Sequence, residues 1–188
     1  MPRLFTAIEV PPAIAARLAE LRGGLPRARW VDPANYHLTL RFIGDVDMVV
    51  AEEAAGALAR VQRRPFELRI AGVETLGTRR PTAIVAKLAP APPLLELQAE
   101  HERLLQRIGL PPEGRKYTPH VTIARLDHAS TREIADYLGL RGGFASPPFT
   151  VERFVLFSSR NSVGGGPYVV EEAYPLIAPA AQRAASAR

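Results

Sequence analysis

Two periods of apolar residues run along this chain, and they divide it into strands and helices. Residues 4–10 form a nearly unbroken apolar run and read as a first strand. Pro11-Pro12 then opens a helix, with Pro tolerated in the first turn. Ile14, Leu18 and Leu21 carry its apolar face, and Gly23-Gly24 closes it. Trp30-Val31 and residues 37–43 read as extended. Asp47 is placed to cap a helix running to about residue 64. Residues 66–73 and 82–88 read as strands. Residues 92–108 carry the clearest helical spacing, with Leu94, Leu97, Leu104 and Ile108 on one face and Gly109 at the end. A strand at 120–126 follows, then a helix from about 130 to 140 opened by the capping box of Ser130 and Glu133. Residues 149–157 and 168–174 are the last two strands.

Two of these strands carry the same polar marks. His37-Leu38-Thr39-Leu40 returns as His120-Val121-Thr122-Ile123, 83 residues later. Residues two apart in a strand share a face, so each His points the same way as its Thr while the apolar pair enters the core. Imidazole exchanges protons near neutral pH, and a Thr hydroxyl donates to a phosphoryl oxygen. One such tetrapeptide means little. Two copies, a little under half the chain apart, predict an internally duplicated domain with an acid and a base on either side of one phosphorus atom.

Composition narrows the setting. The chain has 188 residues, 47% of them hydrophobic, enough for one globular domain with a substantial core. It has no cysteine, which excludes disulfides and thiolate zinc sites. No apolar run approaches the ~20 residues of a membrane span. The N-terminus shows no basic segment followed by an apolar one, so a cytoplasmic protein is expected. The net charge of +5 favours polyanions such as RNA. Arg-rich, Ala-rich composition gives the same balance without any such role.

The flanks of the two motifs carry a resemblance. Arg3-Leu4-Phe5-Thr6-Ala7-Ile8-Glu9 opens the chain, Arg29-Trp30-Val31 precedes the first motif, and Arg41-Phe42-Ile43-Gly44 follows it. Tyr117-Thr118-Pro119 leads into the second motif and Ala124-Arg125 leaves it. Together they resemble the RNA 2′,3′-cyclic phosphodiesterase (2′-5′ RNA ligase) family of the two-histidine phosphoesterases, from about Arg3 to Pro175. The resemblance implies an α+β fold: two pseudo-symmetric lobes of duplicated antiparallel sheet, helices outside and a cleft between. It implies hydrolysis of RNA 2′,3′-cyclic phosphate ends to 2′-phosphomonoesters, without metal or cofactor and with 2′-5′ ligation as the reverse reaction. It assigns His37 as proton donor and His120 as acceptor, and it favours Arg125 as a phosphate ligand.

The residues themselves leave more open. Thr39 and Thr122 are placed to hold phosphate oxygens. Strict alternation puts Arg41 on the His37 face. It puts Arg125 on the face opposite His120, unless the strand ends or bulges near Ala124. Tyr117, and Phe42 if outside the core, are candidates to stack on a base. Tyr168 matches a family position with no evident role. The loop 74–81 with Arg79-Arg80 either borders the substrate or is a solvated hairpin. His101 and His128 read as surface residues, and the glycine triplet 164–166 as a turn. Other readings are an enzyme acting on ADP-ribose cyclic phosphate or 2′-5′ oligoadenylate, an RNA-binding module with little turnover, and a zinc protein using the four histidines. No histidine pair has helical metal spacing. A monomer with one bilobal domain over 1–177 and a fraying tail over 178–188 is expected, acting on RNA ends or small nucleotide cyclic phosphates and not on membranes.

Overall fold

The computed structural model describes residues 2–77, 80–127, 129–159 and 167–177. The expected tail, the glycine triplet, His128 and Arg79 lie outside these described residues. The described chain forms β1 (Arg3–Glu9), α1 (Pro12–Ala19), β2 (Ala28–Trp30), a 3-10 turn (Pro33–Asn35), β3 (His37–Asp45) and α2 (Met48–Leu58). It continues through β4 (Phe66–Leu68), β5 (Ile70–Leu76), β6 (Ala83–Leu88), α3 (Pro92–Arg107) and β7 (His120–Leu126). α4 (Thr131–Arg141), β8 (Phe149–Val151), β9 (Arg153–Ser159) and β10 (Tyr168–Pro175) complete it.

The expected α+β fold is the observed one. The strands lie in the order β10-β9-β1-β3-β7-β6-β5, antiparallel at each contact, with β2 also on β7. β3 and β7 touch at one register point, Leu38 opposite Val121. That single junction divides the sheet into two lobes, each carrying one motif strand at its inner edge. The lobes are not the two halves of the sequence. β9 and β10, from the C-terminal end, complete the lobe of the first motif, and α3 packs on β3. α4 packs on β5 of the other lobe and donates the Tyr137 hydroxyl to the Leu21 carbonyl just past α1, at 2.9 Å.

Three boundaries differ from expectation. The strands expected over 66–73 and 149–157 each split, because β4 and β8 pair with one another as a separate two-stranded sheet. The second helix ends at Leu58 rather than near residue 64. There Val61 turns into the core, and Arg63 reaches across to Glu96 and Glu100 of α3, both at 2.5 Å. Asp47 and the Ser130–Glu133 capping box sit at their helix starts as expected.

One large core runs behind both lobes. A second, small cluster of Phe5, Ala7, Val155 and Phe157 lies on the other face of the first lobe, with Tyr168 against it. β1 is therefore buried on both faces, with Leu4, Thr6 and Ile8 behind and Phe5 and Ala7 toward the cleft. His101 corrects the sequence reading. It is fully buried on the core face of α3, its Nδ1 2.9 Å from the Thr6 hydroxyl and its ring 4.4 Å from that of Phe154. Burial pushes its pKa down to about 3, so it is a neutral core residue at physiological pH.

Candidate active site

The two motif strands are built alike. Their burial alternates until the fourth residue, and then two successive residues are buried: Leu40 and Arg41 in β3, Ile123 and Ala124 in β7. The pairing explains this. On β1, Ala7 and Thr6 face Thr39 and Arg41, leaving Leu40 without a partner. On β6, Val85 and Ile84 face Thr122 and Ala124, leaving Ile123 without one. A bulge of one residue reverses the alternation beyond it. His37, Thr39 and Phe42 therefore share the cleft face of β3. His120, Thr122 and Arg125 share that of β7.

Arg41 is accordingly corrected. The bulge turns it away from the His37 face, and its side chain is only 7% exposed. Its guanidinium donates to the Glu102 carboxylate of α3 and to the carbonyl oxygens of Phe42 and, at 2.5 Å, Pro111. Glu102 also accepts from the Glu113 amide at 2.9 Å and from Gln106 at 2.6 Å. Burial acts against the charge on Glu102, but these donors hold its pKa below the usual carboxylate range. The pair ties β3, α3 and the loop ahead of β7 together. For Arg125 the bulge is the one that strict alternation would have needed near Ala124, and it brings the residue onto the cleft face, where it is exposed.

Each histidine is held by the same bond. His37 Nδ1 lies 2.8 Å from the Asn35 carbonyl oxygen, and His120 Nδ1 lies 2.7 Å from that of Thr118. A carbonyl only accepts, so Nδ1 carries the hydrogen in both rings. Each Nε2 is thereby left to give or take a proton in the cleft. Continuing the antiparallel register from Leu38–Val121 sets His37 across from Thr122 and Thr39 across from His120. Tyr117 donates its hydroxyl to the Thr39 carbonyl at 3.0 Å, tying the lead-in of the second motif to the first. Burial raises its pKa. Tyr117 is half-buried, and this bond fixes its ring between the two motifs.

The surroundings of the two rings differ. His37 lies in an aromatic box, 5.1 Å from Phe5, 5.9 Å from Phe157 and 5.0 Å from Tyr168 between ring centres. Burial lowers its pKa, and the positive charge of Arg125 and of His120 adds to that, against the bond to Asn35. Phe42 packs one edge of this box, 5.7 Å from Phe5, and leaves half its surface open. The sequence did not single out Phe5 or Phe157. β1 is apolar at almost every position, so nothing in it marks which face meets the cleft. Among the described residues, no three His, Asp or Glu side chains are grouped to hold a metal ion.

A family model described as the 2′-5′ RNA ligase superfamily matches residues 10–162. The chain belongs to the 2′-5′ RNA ligase superfamily. Among the curated proteins similar to it is an RNA 2′,3′-cyclic phosphodiesterase of Aeropyrum pernix, 34% identical over 62% of this chain and 69% of that one. A protein of the same name from Aquifex aeolicus is 30% identical over 78% and 81%. The fold matches that of a Thermus thermophilus protein, with TM-score 0.80 and 24% identity over 94% of this chain and 98% of that one. It also matches E. coli LigT complexed with 3′-AMP, with TM-score 0.76 and 22% identity over 94% and 99%. The motif pair that defines the cleft is thus set in this superfamily's fold.

Proposed function

We propose that this protein hydrolyses RNA 2′,3′-cyclic phosphate ends to 2′-phosphomonoesters, with His37 as proton donor and His120 as acceptor. The observation that carries this is the matched anchoring of the two rings, which commits both Nε2 atoms to the cleft on opposite sides of the β3–β7 junction. His120 Nε2 takes a proton from water as its oxygen bonds to phosphorus. The bond from phosphorus to the sugar 3′ oxygen breaks, and His37 Nε2 protonates that oxygen. Thr39 and Thr122 donate to the non-bridging oxygens, and Arg125 offsets the charge that builds on them.

The electrostatics fit this order of events. In the free protein, burial and neighbouring positive charge favour neutral His37. A phosphate anion between the motifs reverses that balance, so the donor gains its proton as substrate arrives. Phe42, exposed at the rim of the aromatic box, is the surface for the terminal base. In reverse, the same pair joins a 5′-hydroxyl to the cyclic phosphate. Water at ~55 M favours hydrolysis over that untethered reaction. The same reading has the protein act as a cytoplasmic monomer with residues 1–177 as one bilobal domain. The test is incubation with a nucleoside 2′,3′-cyclic phosphate in the presence of chelator. Loss of the cyclic ester is expected. A cyclic ester that persists, or that is opened only when metal is restored, overturns the proposal.

A further inference from the structure

Arg29 and Arg125 lie directly opposite one another on β2 and β7, and both are exposed. Residues paired in this way project from the same face of the sheet, with Cβ atoms about 5 Å apart. The neighbouring pair, Trp30 and Ala124, faces the other way, with Ala124 in the core and Trp30 packed 5.9 Å from Tyr137. The bulge at Ile123 has already placed Arg125 on the face of His120 and Thr122. Arg29 therefore stands on the cleft face as well, further along the same edge of β7 that meets β3 at Val121. Like charges directly opposite in a ladder are destabilising. Among the described residues, neither guanidinium has an acidic partner to offset that repulsion. An arrangement of this kind is relieved by a bound anion lying over both.

We propose that Arg29 binds a second phosphate of the substrate, the internucleotide diester on the 5′ side of the terminal nucleotide, and so favours an RNA chain over a mononucleotide. This deepens the proposed function and rests on it, since it takes the reacting phosphate to lie between His37 and His120. Arg125 then borders both anions, with the reacting phosphate on its Thr122 side and the next phosphate on its Arg29 side.

The experiment compares kcat/KM on a nucleoside 2′,3′-cyclic phosphate and on a dinucleotide ending in the same cyclic phosphate, for the wild type, Arg29→Ala and Arg29→Lys. The wild type should prefer the dinucleotide by ten-fold or more. Arg29→Ala should lose most of that preference through KM while turning over the mononucleotide within two-fold of wild type, and Arg29→Lys should restore part of it. The salt dependence of dinucleotide binding should flatten in Arg29→Ala by about 0.7 in log–log slope, as for one lost single-strand phosphate contact. Arg29→Ala should melt no lower than the wild type, because it removes a like-charge pair. Equal loss on both substrates, or a preserved dinucleotide preference, overturns the role of Arg29 and leaves the proposed reaction standing. A wild type that opens neither substrate overturns the proposed reaction, and this inference with it.

Discussion

Leu38 lies directly across from Val121, the one position at which β3 and β7 are paired in register. Each member is the apolar residue between the His and the Thr of its motif. One backbone pairing thus brings four polar side chains into one cleft. Replacing His37 or His120 with Ala should lower turnover of a cyclic phosphate by on the order of 10²–10⁴-fold. The double variant should fall little further, because the two residues act as a unit. Both single variants should keep the wild-type circular dichroism spectrum. Near wild-type turnover in either one contradicts paired acid–base catalysis.

Arg41 and Arg125 should separate cleanly. Arg41→Ala leaves the Glu102 carboxylate without its guanidinium, at a cost of about 3 kcal/mol in unfolding free energy, with KM little changed. Arg125→Ala should leave stability within about 0.5 kcal/mol of wild type, as is usual for an exposed site, and lower kcat/KM by ten-fold or more. Denaturant unfolding beside steady-state kinetics on each variant decides the matter. The opposite pattern would mean that the bulges do not set which arginine meets the phosphate.

Phe42→Ala removes the exposed ring at the rim of the box. Base stacking is worth ~1–3 kcal/mol, so KM for a dinucleotide cyclic phosphate should rise roughly 5- to 150-fold. Melting temperature should change little, because half of the ring is already in water. An unchanged KM would move the base elsewhere in the cleft.

His101 and His37 link stability to pH in the same direction. Both have folded pKa values below the unfolded one, His101 at about 3 and chiefly through burial. Below the ordinary histidine pKa, the unfolded chain therefore binds protons that the folded chain does not. Stability falls as pH drops from about 6.5, by up to about 1.4 kcal/mol per pH unit for each linked proton. For His101 this continues toward pH 3. His101→Gln should flatten the dependence of unfolding free energy between pH 6 and 4 relative to wild type. Parallel slopes would show that His101 takes up its proton in the folded protein.

The paired motifs, the α+β fold and most elements were legible in the sequence, because alternation over two residues marks a strand face directly. What escaped it has one main physical cause. A one-residue bulge leaves no compositional mark in Leu40-Arg41 or Ile123-Ala124, yet it reverses every face beyond it. Arg41 was therefore expected in the cleft and lies behind it. The resemblance favoured Arg125, but strand alternation reached it only by supposing the bulge. His101 escaped for a different reason. It lies between Leu97 and Leu104 on the expected apolar face, but its residue type argued for the surface. The buried face carries Leu94, Leu97, His101 and Leu105, with Leu104 and Ile108 only partly buried at its side. The aromatic box drew its members from strands at both ends of the chain, a grouping that only the return of β9 onto β1 creates.

The roles of His37 and His120 turn on which bond to phosphorus breaks. The most direct measurement is phosphorus NMR of the product formed from a dinucleotide 2′,3′-cyclic phosphate. With His37 beside the 3′ oxygen and His120 with its water across the phosphorus, the product should be the 2′-phosphomonoester. A predominant 3′-phosphomonoester would contradict the orientation of the substrate and the assignment of His37 as donor.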